Sequence, residues 1–259
     1  MSQVKGYTVG DIKTEAAFTS EIVLNGSPTL QDFVNYQDKD RQIMVTRPGM
    51  YLKYLPHRYD DVNGQLLSGG AYLFDTHANA QDYWDWTTDK FEVGEPKTKF
   101  WDQPLFKSSK RFVWDVIGAT NFKPVEVHAV GRFQRWSYAR ARNNTADALR
   151  AVFPALKKVA QGQGAASFWL LHHRGEKQIA IQLTFEKVED GDGATVGQRS
   201  LHKVTSQPSL GELFPRGLDA TNELDRTSLF IALWLPSSSS AGGVAQTHPM
   251  YPALPAVTV

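Results

Sequence analysis

The stretch Val125 to Tyr138, VEVHAVGRFQRWSY, alternates as a strand does, and one of its two faces carries His128, Arg132, Gln134, Trp136 and Tyr138. An imidazole and a phenol can move a proton, a guanidinium can stabilise an enolate or carboxylate, and an indole and an amide can stack on and orient a small molecule. An imidazole or guanidinium in mid-strand is costly to bury without a partner. His128, Arg132 and Tyr138 are therefore candidates for acid/base catalysis, with Trp136 and Gln134 beside them as binding groups. A structural pairing with Glu186 or Asp115 explains His128 and Arg132 equally well.

Other strands supply further wall residues. In Gln178 to Lys187 the apolar set Ile179, Ile181, Leu183 and Phe185 suits a helix-covered face, which turns Gln182 to the other side. By the same alternation Phe230 and Trp234 point inward, and Trp169, His57, Tyr59 and Tyr72 complete a set of candidate substrate contacts. Trp114, Phe74, Tyr51 and Lys53 fall on the same expected face. A one-residue bulge inverts any of these assignments. His172 and His173 are adjacent on a strand, so their rings point to opposite faces and cannot chelate one metal together.

Composition removes several chemistries. The chain has 259 residues, no cysteine and a net charge of +1. Thiolate metal sites, cysteine nucleophiles and disulfides are thus excluded, and no basic face marks nucleic acid. The short run Lys107 to Arg111 reads as solvated. Gly162-Gln163-Gly164 lacks the context of a dinucleotide fingerprint, no phosphate loop or G-x-S-x-G elbow is present, and Asp190 to Gly193 lacks the spacing of a calcium loop. No metal and no cofactor is expected. With no apolar run of signal-peptide or membrane-spanning length, the expectation is a cytoplasmic protein without membrane contact.

The elements that would position these groups come in a repeated order. A strand over Asp11 to Leu24, a helix over Thr29 to Asp38, a hairpin of Met50 to Tyr59 and Gln65 to Phe74, a helix opening at Asp75 or Thr76, and a strand over Lys110 to Ile117 ended by Gly118 make β-α-β-β-α-β. After Asn121 to Pro124 the order restarts: Val125 to Tyr138, a helix over Asn144 to Ala160 bent at Pro154, a hairpin of Ser167 to His173 and Gln178 to Val188, a short helix capped by Ser209 and Glu212, and Thr227 to Leu235. The expected class is α+β, as two tandem ferredoxin-like units over residues 1–120 and 125–236, followed by a tail over 237–259.

The segment Gly69 to Phe74, GGAYLF, followed by a helix bearing Ala80 and Tyr83, resembles the dimeric α/β-barrel superfamily, closest in pattern to its small YdhR-type monooxygenases. The resemblance implies that two sheets face each other around a cavity, here as a pseudo-dimeric barrel within one chain, with homodimerisation also open. It further implies an enzyme working without cofactor on a hydrophobic, aromatic or polyketide-like molecule by cyclisation or isomerisation. Cofactor-free oxygenation and a carrier of an apolar ligand are the alternatives. Haem would need more than an isolated histidine.

Overall fold

The computed structural model describes residues 8–26, 43, 47–59, 65–139, 144–186 and 203–234, with backbone only at 59 and 231–234. The helix expected over Thr29 to Asp38 and the tail 237–259 lie outside these residues. The strands are β1 (Gly10–Asp11), β2 (Ala16–Leu24), β3 (Met50–Tyr59), β4 (Leu66–Phe74), β5 (Glu92–Val93), β6 (Thr98–Lys99), β7 (Phe106–Asn121), β8 (His128–Tyr138), β9 (Ser167–His173), β10 (Gln178–Glu186) and β11 (Ala220–Trp234). The helices are α1 (His77–Asp85) and α2 (Thr145–Gly162). Strands and helices mix, and the pairs β2–β4, β3–β4, β7–β9, β8–β10, β8–β11 and β9–β10 are antiparallel.

Two compact units result. One, the α1 unit, comprises residues 16–113 and 230–259, and the other, the α2 unit, residues 1–15 and 114–229. Strands β7 and β11 each contribute one end to each unit. In the α1 unit the order is β7-β2-β4-β3-β11, and in the α2 unit β1-β7-β9-β10-β8-β11.

The α1 unit begins its helix as the sequence suggests. Thr76 caps it by accepting from the Asn79 amide at 3.2 Å, and the Asp75 carboxylate accepts from the Thr76 amide and the Asn79 side chain. Gly49, with φ of +68°, passes so close that a Cβ would lie 2.0 Å from the Asp75 carboxylate. Helix α1 buries Ala80 and Tyr83. Tyr83 meets Phe18 edge-on with centroids 5.0 Å apart, and Phe18 stacks on Tyr72 at 5.4 Å. Arg111 lies over both Trp84 and Trp101 at 4.7 Å.

In the α2 unit, Thr145, Leu149, Leu156 and Ala160 are the buried positions of α2, and Phe153 stacks on Phe168 of β9. Gly118 was expected to stop its strand. Instead β7 runs on to Asn121, its register shifting between Val116 and Gly118, because a side chain at 118 would occupy the Phe153 ring, 2.5 Å from an added Cβ. The expected strand from Val125 opens as a 3-10 turn over Val125–Val127, and the expected capped helix is a 3-10 turn over Leu210–Leu213.

Candidate functional site

Register decides which way β8 faces. Arg132 stands opposite Leu183, and Gln134 opposite Ile181. Leu183 in turn stands opposite Phe168, whose ring packs on α2. Arg132, Gln134, Trp136 and Tyr138 therefore lie on the helix-covered side, the reverse of the face expected from alternation, while a register shift between Phe185 and Glu186 sets His128 apart, opposite Glu186. Their partners explain it. The Arg132 guanidinium makes a forked pair with Asp225 at 2.9 and 2.7 Å and donates to the Gln207 and Val204 carbonyls at 2.7 and 3.3 Å. Gln134 donates to Asp225 at 2.8 Å, and Trp136 packs edge-on against Phe214. Gly211 sits against the Trp136 indole where a Cβ would come within 2.7 Å.

Arg132 is thus a clamp that fixes the segment after residue 203 to the sheet. Arg132→Leu is expected to cost about 2–3 kcal/mol of stability in chemical denaturation, since Asp225, although partly solvated and still bonded to Gln134, loses its ionic partner and the two carbonyls lose their donor. His128 is committed as well: its Nε2 bonds the Lys123 carbonyl at 3.3 Å, and burial pushes its pKa down to about 4.

Tyr138 differs. Its hydroxyl lies 2.8 Å from Nε2 of His172, the two rings lie nearly parallel, and both residues are buried. Burial raises the phenol's pKa, opposed by Arg174, and lowers that of the imidazole, opposed by Asp115. Both groups are consequently neutral near pH 7 and share one hydrogen bond along which a proton can pass. Nδ1 of His172 is buried with no hydrogen-bond partner among the described residues. The pair sits where β8 and β9 reach the turn Arg174 to Lys177, and the Tyr138 amide donates to the Lys177 carbonyl at 3.0 Å.

The remaining sequence candidates are dispersed. Gln182 and Trp169 stand opposite each other on the face of the α2 unit away from its helix, with Phe133 and Ala119 as their outer neighbours. That face also buries Arg135, paired with Glu223 at 2.5 Å, and the Ser167–Thr184 hydroxyl pair at 2.7 Å. In the α1 unit, Tyr72 and Phe74 pack on Tyr83 of α1, correcting their expected inward placement. The Lys53 ammonium lies 4.8 Å from the Tyr72 ring centre. His57 is buried, and its pKa falls to about 3 by desolvation. Phe230 stacks on Tyr54 at 4.6 Å. The side chains of Tyr59 and Trp234 lie outside the described residues.

No family model matches the sequence, and no curated protein does. Among solved structures, the chain is similar to an anthrone oxidase-like protein at 10% identity, with a TM-score of 0.50 over 89% of this chain and 97% of that one. It shares that protein's fold. A Lactobacillus acidophilus protein described as a candidate monooxygenase (10% identity, TM-score 0.48, 84% and 93% covered) and one from Fusobacterium nucleatum (7%, 0.49, 90% and 98%) are more distant likenesses.

His172, Asp115, Arg135 and Asp225 were not singled out as site residues by the sequence. The adjacent histidines were the available signal for His172, because alternation alone sends one of two neighbours onto the face of Tyr138. Among the described residues no group of three His, Asp or Glu side chains is placed to hold a metal ion, and no helix is long and apolar enough to cross a membrane.

Proposed function

We propose that the protein is an enzyme that moves a proton at a carbon next to a carbonyl of a hydrophobic, aromatic or polyketide-like small molecule, without a cofactor. The single observation that carries this reading is the 2.8 Å contact between the Tyr138 hydroxyl and Nε2 of His172. As the Tyr138 oxygen takes a proton from the activated carbon, the phenol's own proton passes to Nε2. The products are an enolate and an imidazolium. Return of the proton to a different carbon gives isomerisation, and attack of the enolate carbon on a second carbonyl gives cyclisation. Arg132 and His128 are assigned to structure.

Two strand orders support a duplicated architecture. Numbered along the chain, β2, β3, β4 and β7 are arranged fourth-first-third-second, and so are β8, β9, β10 and β11. We read this as two tandem ferredoxin-like units over residues 1–120 and 125–236, as the β-α-β-β-α-β order suggested.

The test uses anthrone, an aromatic ketone with an acidic methylene, in deuterated buffer. Protein-dependent exchange of the methylene hydrogens under nitrogen, followed by NMR, is the expected result. Oxygen consumption with no exchange under nitrogen would favour cofactor-free oxygenation, and saturable binding with neither would favour a carrier.

A further inference from the structure

Strands β7 and β9 pair so that Asp115 stands directly opposite His172. The His172 ring reaches Tyr138 with Nε2, leaving Nδ1 buried and without a hydrogen-bond partner among the described residues. A neutral imidazole carries its proton on one nitrogen only, so the tautomer fixes the direction of transfer. With the proton on Nδ1, Nε2 can accept from the Tyr138 hydroxyl. With the proton on Nε2, the hydroxyl must accept and cannot pass its proton on.

We infer that Asp115 is the positioning residue of the Tyr138–His172 pair: its carboxylate, across the strand pair, holds the His172 proton on Nδ1 and stabilises the imidazolium formed when Tyr138 gives up its proton. The inference deepens the acid/base reading above and rests on it for its catalytic meaning. Other charges around the imidazole act in the opposite sense. Arg150 from α2, Arg174 from the following turn and the neighbouring His173 all disfavour a positive ring, and Asp115 is the group that favours it. Of these, Arg150 is already paired with Asp147 at 2.8 Å. The negative side of the balance at His172 therefore depends on β7 alone among the described residues that act on it.

The experiment is a pH titration of the full chain labelled with ¹⁵N at histidine, in which His172→Gln assigns the His172 resonances and the nitrogen shifts report the tautomer. The wild-type protein is expected to show His172 protonated on Nδ1. In Asp115→Asn the midpoint should move to lower pH and the Nε2-protonated form should grow, while Asp115→Glu should restore both. An unchanged tautomer and midpoint in Asp115→Asn, or a wild-type His172 protonated on Nε2, would overturn the inference. Should Asp115→Asn not fold, the wild-type tautomer and the Asp115→Glu titration decide it. Absence of anthrone exchange in a protein that titrates as expected would remove the catalytic reading and leave the positioning role standing.

Discussion

On acidification from about pH 7 to about pH 4.5 the protein is expected to lose on the order of 5 kcal/mol of stability, most of what a domain of ordinary stability has. Two buried imidazoles account for it. Desolvation lowers the pKa of His57 to about 3 and that of His128 to about 4, against 6.5 for each in the unfolded chain. Between those values the unfolded state binds more protons than the folded one, so stability rises with pH across the window. It is complete above about 6.5 and lost progressively as pH falls towards the folded values. Denaturant titrations at half-unit intervals measure the slope directly. About two protons should be taken up on unfolding near pH 5, and His57→Gln or His128→Gln should each reduce this to about one. The slope is informative even where the substitution itself lowers stability. Equal proton uptake in all three proteins would show that neither histidine is the source.

The parts legible in the sequence are those that local chemistry controls. Alternation delimited Met50–Tyr59 as a strand, and Thr76, a short polar residue before an apolar stripe, marked the start of α1. The face of β8 was not legible. Val127, Ala129, Gly131 and Phe133 make the more apolar set, which argues for burying them against a helix. What reverses the choice is Asp225, 93 residues away, together with the carbonyls of Val204 and Gln207, which satisfy Arg132 on the helix side. Alternation reports polarity and is blind to a partner that neutralises it. Gly118 shows the same limit from another direction, because a glycine that admits the ring of Phe153 looks in sequence like one that ends a strand.

The face that β8 turns to the helix decides which substitutions should matter for turnover. Tyr138→Phe keeps the ring against His172 and removes only the hydroxyl, so it should lower the anthrone exchange rate by about two to four orders of magnitude, the usual cost of removing a positioned acid or base. His172→Gln leaves the phenol without its proton acceptor and should cost about the same. Because the two groups act on one proton, the double variant should be scarcely slower than either single one. Structure should survive, since a buried group left without its partner costs about 1–3 kcal/mol. Arg132→Leu should act through stability, with near-normal rates per folded molecule at low temperature, because every donor group of its guanidinium that the structure pairs is given to Asp225 or to a backbone carbonyl. Full activity in both Tyr138→Phe and His172→Gln, with exchange lost in Arg132→Leu molecules that remain folded, would place the chemistry back on the clamp and away from the pair.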